Sequence, residues 1–444
     1  MIEQQVIDAE WSEQAKVETE QLKVQPESVP GEGQRSSFGL NHNFSIYWAG
    51  QSLSAVGDAF AFVAMPLLVL EATGSVVQMG LVTATTGVSQ ILMGLIAGPL
   101  VDRLDRRKLM IGCDIGRFLL YSLIPLGWWL LGPQIWLIYL VTALASALGN
   151  LFGIASITAI PNLVSKAQIM DANSRLQATF GLAFFLGPML SGFISYYLGG
   201  PVTAVGINAA SYLASIFALS LVRLRGESQR REQAKESKLR EISAGIRYLF
   251  SQPLLRSLTI FYMLTNMLTF AGLDLFIYRI KHDLGQGDNT VGIVLGVAAV
   301  GSILSALAVP LLRRRYGFGP TFIGGALLQA ASLATIGLAP TVLLVLPATV
   351  GFTLGDRIQG VNSMTIRQEI TPDRLLGRVT AAFWTLISVL GPIGAGVMTW
   401  LAAQFGSSPV LLAMGAGGFL LACLATLTPI RLRHPEQVYH KSSD

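Results

Sequence analysis

Residues 186–192 read Leu186-Gly187-Pro188-Met189-Leu190-Ser191-Gly192, and the chain returns to the pattern at Leu390-Gly391-Pro392-Ile393-Gly394-Ala395-Gly396. Each stretch lies inside a long apolar run. A polar segment precedes each, Pro161-Asn162-Leu163 through Ala172-Asn173 in one case and Thr371-Pro372-Asp373 through Gly377-Arg378 in the other. Gly and Pro weaken a helix in water, but in a membrane neighbouring helices satisfy the backbone groups that they free. Recurrence of this kind points to internal duplication. Chance repetition of Gly-Pro pairs in Gly-rich helices is the competing explanation, and the topology around them decides between the two.

Of the 444 residues, 52% are hydrophobic and 13% charged, against about 25% charged in a soluble domain. A water-facing surface of this size needs more charge, so a soluble protein is excluded. A helix crosses the hydrocarbon core with roughly 20 mainly apolar residues. That length selects twelve spans, at 44–70, 77–101, 109–131, 134–160, 175–198, 201–222, 254–278, 291–312, 319–338, 342–368, 376–402 and 408–429. The seventh is the least regular, because it holds Asn266, Asp274 and several Thr. Lys and Arg gather in alternate loops, as at Arg103, Arg106, Arg107 and Lys108, and at Arg313, Arg314 and Arg315, while the opposite side carries Arg279 and Lys281 alone. The positive-inside rule then places both termini in the cytoplasm. The net charge of +5 is therefore a topology signal, and no nucleic-acid partner is expected.

The fold class expected is an all-α integral membrane protein, with twelve transmembrane helices in two six-helix pseudo-symmetric bundles. Residues 1–43 form a polar tail expected to be disordered, 44–222 the first bundle, 223–253 a cytoplasmic linker, 254–430 the second bundle and 431–444 a cytoplasmic tail. In the linker, Leu239, Ile242, Ile246, Leu249 and Phe250 repeat at helical spacing, as in an amphipathic helix lying at the membrane interface. Paired parallel halves are the arrangement of secondary transporters whose substrate site lies near the midplane.

The loop Gly98-Pro99-Leu100-Val101-Asp102-Arg103-Leu104-Asp105-Arg106-Arg107-Lys108 resembles the signature loop of the major facilitator superfamily, with Asp105 where that pattern usually has Gly. The fifth span, from Gly181 through Gly187-Pro188 to Gly192, is similar to the signature of proton-coupled exporters in that superfamily. Arg367-Gln368 with Thr371 through Val379 resembles the branch that contains bacterial macrolide efflux proteins and the enterobactin exporter. The resemblance covers about 44–430. It implies the major facilitator fold and proton-driven export of a bulky organic small molecule by a monomer in the bacterial plasma membrane. Import or lipid flipping on the same fold is the first alternative. A membrane receptor or assembly subunit is the second, although a static scaffold has no use for paired halves and midplane charges.

A charge within the bilayer costs upward of about 2.5 kcal/mol, so its default reading is functional. Tyr47, Gln51, Ser54 and Asp58 recur at helical spacing on one face of the first span, as expected for the wall of an aqueous cavity. A carboxylate bonded to a neighbouring helix is the structural alternative for Asp58. Asp356 and Arg357 sit inside the tenth span, and adjacent residues on a helix do not face each other. In the resembling fold the first, fourth, seventh and tenth helices line the cavity, which brings Arg357 toward Asp58 or an anionic substrate. Asp114 and Arg117, three apart, form an expected structural pair, while Glu71 and Asp274 are expected at the interface. Asn150, Asn266 and Thr269 are candidate cavity groups, and Phe60, Phe62, Tyr262, Phe270 and Trp384 a candidate apolar surface. Gly98, Asp102, Arg103, Arg106 and Arg107 form a candidate conformational latch. Gly181, Gly187, Pro188, Gly192, Gly391 and Pro392 are candidates for close helix packing.

No phosphate-cradling Gly-x-x-x-x-Gly-Lys sequence, zinc-protease motif or hydrolase elbow occurs. Cys113 and Cys423 lie far apart in apolar runs, and His42, His282, His434 and His440 in polar ones. No enzyme activity, metal or cofactor is expected.

Overall fold

A computed structural model describes residues 42–165, 168–222 and 238–439. The expected tail before residue 42, the first part of the linker and residues 440–444 lie outside the described residues. So do the side chains of the latch candidates Asp102 and Arg103, and the surroundings of Gly98.

The described chain is helical throughout, with no strand. In the first half run α1 (His42–Thr73), α2 (Val76–Arg103), α3 (Arg106–Leu131), α4 (Ile135–Leu163), α5 (Ile169–Tyr197) and α6 (Pro201–Leu221). A short helix α7 (Lys238–Ser251) leads into α8 (Pro253–Thr269), α9 (Gly272–Tyr278), α10 (Asp288–Tyr316), α11 (Phe318–Leu338), α12 (Val342–Ile370), α13 (Asp373–Phe405), α14 (Ser407–Ala425) and α15 (Pro435–Val438). Twelve helices are long and apolar enough to cross a membrane, one for each span read from the sequence. The seventh span is broken: α8 stops at Thr269, α9 resumes at Gly272, and a π-helical turn, Arg279–Asp283, follows.

Local chemistry sets the ends. Asp105, the departure from the signature loop, accepts a hydrogen bond from the Lys108 amide and so caps α3. Arg106 donates to the Thr158 carbonyl on α4, and Arg107 to the carbonyls of Leu219 and Ser220 at the end of α6. Arg107 thereby satisfies carbonyl groups that the C-terminus of α6 leaves unpaired. Gly199 and Gly200 turn the chain from α5 into α6 at φ of 98° and 89°, a region open to Gly and closed to most side chains.

The packing repeats after six spans, as duplication requires. In the first half α2 packs on α4, and α3 on both α4 and α6; in the second, α10 packs on α12, and α11 on both α12 and α14. Across the halves α2 meets α13, and its counterpart α10 meets α5. Those cross-contacts are tight at the end carrying the short loops. A Cβ on Gly192 of α5 would lie 2.7 Å from the Gly292 Cα of α10, and one on Gly80 of α2 would collide with Thr399 of α13. At the basic-loop end, a Cβ on Gly94, Gly181 or Gly377 would meet nothing within 4 Å. A cavity of about 1050 Å³ separates α5 from α10 there, lined by Gly181, Phe184, Ser302 and Arg357 among others. The halves thus touch at one end and part at the other.

The glycine candidates divide accordingly. Gly187 packs on Ala59 of α1, Gly192 on α10, and Gly391 on Phe270 and Asn266 of α8, while Pro392 approaches Gly87 of α2. Gly181 borders open space, so the expectation that it packs helices is corrected. Gly192→Leu must wedge α5 from α10, where overpacking costs about 1–3 kcal/mol. We expect it to lower the melting temperature of the purified protein, whereas Gly181→Ala leaves that temperature unchanged.

The helix α7 carries part of the expected apolar stripe. Its Leu249 is buried with Phe318, Ile370 and Phe383, its Ile246 packs beside them, and its Gly245 abuts the Arg378 carbonyl of α13. Phe250, the last residue of the stripe, stays exposed.

Candidate functional site

The polar stripe on α1 does not face water along its length. Tyr47, Gln51 and Ser54 are buried. The Tyr47 hydroxyl lies 2.6 Å from Ser156 Oγ on α4, and Gln51 Nε2 donates to Ser215 Oγ on α6 at 2.8 Å. A hydrogen-bonding stripe on a membrane helix is satisfied equally by water or by polar groups of adjacent helices, and here the helices supply them. The cavity-wall role expected for Gln51 and Ser54 is corrected; Asp58, with its side chain 37% exposed, alone reaches open space.

Asp58 anchors a network confined to the first half. Arg117 Nη2 donates to Asp58 Oδ1 at 2.6 Å, and the Tyr212 hydroxyl donates to the same oxygen at 2.6 Å. Arg117 Nη1 reaches Asp114 Oδ1 at 3.3 Å, and Ser215 Oγ donates to Asp114 Oδ2 at 2.6 Å. The guanidinium also lies over the Tyr212 ring, 4.1 Å from its centroid. Arg117 is therefore shared by two carboxylates, one sealed and one open, and is more than the local partner of Asp114. The distal members were missed in the sequence, although Asn208, Tyr212 and Ser215 mark one face of α6 at helical spacing. Arg117, not Arg357, is the cation that meets Asp58.

Asp58 opens into a cavity of about 400 Å³ whose walls include Phe62, Thr83, Tyr121, Ser146, Phe184 and Phe270. Three of the expected aromatics take different places: Phe62 and Phe270 line this cavity, while Phe60 is buried in the core. Asn150 Nδ2 donates to the Gln90 carbonyl at 3.0 Å and so ties α4 to α2. Asp356 and Arg357 stand 3.9 Å apart with side chains 50% and 60% exposed, a geometry in which an ion pair contributes little. Asn266 donates to the Ile387 carbonyl of α13, and Thr269 to the Thr265 carbonyl of its own helix. Among the described residues no group of His, Cys, Asp or Glu has the arrangement of a metal site.

Asp274 is sealed inside protein. It is 1% exposed on α9, just past the break in the seventh span, with Thr83 of α2 beside it, and neither carboxyl oxygen has a partner within 3.5 Å among the described residues. Burying a polar group unpaired costs roughly 1–3 kcal/mol by mutational measures. Asp274→Leu is therefore expected to raise the melting temperature of the purified protein by a few degrees; a lower one would show that the carboxyl is satisfied.

Twelve membrane-length helices, packed with twofold repetition around cavities that open at one end, define a polytopic membrane transporter. The chain belongs to the Major Facilitator Superfamily, whose sequence model matches residues 47–395. It is 28% identical over 390 residues to the multidrug efflux pump Tap of Mycolicibacterium fortuitum, covering 86% of this chain and 94% of that one. It is 26% identical over 403 residues to the enterobactin exporter EntS of Escherichia coli K12, covering 89% and 93%. The fold matches that of the nucleoside transporter NupG with a TM-score of 0.72 at 13% identity, over 87% of this chain and 99% of that one. A bacterial homologue of the iron transporter ferroportin in an inward-facing state gives 0.67 at 16% identity, over 88% and 98%.

Proposed function

We propose that this protein is a secondary active exporter that moves a bulky organic small molecule across the bacterial inner membrane by alternating access, in exchange for protons. It works as a monomer in the lipid bilayer with both ends in the cytoplasm. The observation that carries the reading is the contact of Asp58 with Arg117 and Tyr212 at the wall of an open cavity. A proton on Asp58 weakens its hold on the guanidinium, so Arg117 turns to Asp114 alone and the helices α1, α3 and α6 that carry these groups change their mutual preference. The half-exposed side chain gives the proton a route from water. Phe62, Phe184 and Phe270 beside it offer ring faces to an apolar substrate.

One proton moving down 100 mV releases about 2.3 kcal/mol, which supports modest accumulation against a gradient. Drug and siderophore export by the two relatives supports the direction and the substrate size. The test uses everted membrane vesicles with a pH-sensitive dye inside and a panel of macrolides, siderophores and lysolipids. A transported compound is expected to release protons from the acidified lumen, and uptake without any proton release would remove the exchange.

A further inference from the structure

The second half holds its own cavity, of about 500 Å³, between α8, α11, α12 and α13. Arg367 lies in its wall. It stands at the end of the tenth span, yet it is 2% exposed. Its guanidinium carbon lies 3.5 Å from the centroid of the Phe383 ring and 5.9 Å from that of Trp384. Among the described residues the one acceptor it meets is Met364 Sδ at 3.5 Å, a weak one. Nε and Nη1 are sealed from water and have no acceptor among those residues. Asp356, the carboxylate on the same cavity, stands by Arg357 instead.

The polar groups around Arg367 are unsatisfied in the same sense. The hydroxyls of Tyr262, Thr265 and Ser363, all in this cavity wall, are buried; that of Thr265 has no partner among the described residues, and those of Tyr262 and Ser363 have no partner there but each other. An unpaired buried charge is strongly unfavourable, and three hydroxyls and a guanidinium together present donors in search of a charged acceptor. Gln359 Oε1, the remaining unpartnered group here, accepts and so suits a hydroxyl or amide N–H on the same ligand. Phe383 and Trp384 add aromatic rings to an otherwise mixed wall.

We propose that this cavity binds an organic anion, a carboxylate carried on an aromatic ring. The carboxylate meets the fork of Arg367 and the hydroxyls of Ser363 and Tyr262, and the ring lies against the exposed Trp384. A planar guanidinium suits a carboxylate through two parallel hydrogen bonds. The site belongs to the second half and does not depend on Asp58.

The test is equilibrium binding to the full-length protein purified in a neutral detergent, with salicylate as the probe and salicylamide as its uncharged counterpart. Salicylate is expected to bind at least about tenfold tighter, since hydrogen bonds to charged groups are the strong ones. Arg367→Met should abolish that preference, Arg367→Lys should keep part of it, and Asp58→Asn should leave it intact. Arg367→Met removes an unpaired charge, so its melting temperature should hold or rise. Equal affinity for the two probes, or a preference that survives Arg367→Met, overturns the proposal. If that variant fails to fold, Ser363→Ala with Tyr262→Phe keeps the cation and removes two donors. Salicylate should then bind several-fold more weakly, and unchanged binding counts against the site.

Discussion

Asp58→Asn brings energised export to background while the amount of protein in the membrane stays at the wild-type level. The substitution keeps the shape and the acceptor oxygen, so Tyr212 and Arg117, each 2.6 Å from Asp58 Oδ1, still find a partner. What disappears is the charge and its ability to take up and release a proton. The side chain is then fixed in the neutral state, the charge of Arg117 is balanced by Asp114 alone, and one of two conformations is favoured throughout. A protein held in one state still binds substrate on the side where its cavity is open. Accumulation assays in a strain lacking its other exporters should therefore show export at least about tenfold slower, a change of 1.4 kcal/mol or more in the barrier. Substrate affinity in detergent should stay within a few-fold of wild type. Asp58→Glu keeps the charge and should recover part of the rate. Normal export by Asp58→Asn would take the residue out of the mechanism.

The same residue shows where sequence reading succeeds and where it stops. Span length and loop charge report on the chain's relation to the bilayer, which acts on each segment separately, and the twelve spans could therefore be read one at a time. The break at Phe270-Ala271 was signalled by the polar content of its span, because a helix that ends within a membrane must place its freed backbone groups against protein or water. The intramembrane position of Asp58 was legible for the same reason. Its partner was not. Helical spacing says which face a residue occupies, but the helix opposite that face is a property of the packed bundle. That is why Arg357 was expected against Asp58 and Arg117, a turn from Asp114 on α3, is found there. Polar character also does not distinguish water from protein as the satisfying group, so Gln51 and Ser54 read as cavity wall and are core. Arg367 fails differently. It lies one turn before the end of α12, where a cation most often reaches for the membrane surface, and only the rings of Phe383 and Trp384 reveal that it is turned inward.

Arg117→Met is expected to be the most damaging single change in the protein, and its damage is expected to be reversible. The guanidinium holds Asp58 and Asp114, and Asp114 is fully sealed with Ser215 as its one other donor among the described residues. Removing one partner of a buried ion pair costs about 3–5 kcal/mol, because the remaining charge stays buried and uncompensated. Here two carboxylates lose the cation they share, and the contact of the cation with the Tyr212 ring is lost as well. Membrane abundance should fall sharply, and any purified protein should melt well below wild type. The triple variant Asp58→Asn, Asp114→Asn, Arg117→Met removes all three charges, and replacing a buried ionic group entirely by neutral ones is often without cost. Its abundance and melting temperature should return close to wild type, with export still absent. That combination would assign the triad to coupling and its ionisation, since a set of residues needed only for folding would give back function together with stability. A single Arg117→Met variant of normal abundance and melting temperature would show instead that water reaches Asp58 and Asp114 well enough to replace the cation, and that the coupling charge must be sought elsewhere.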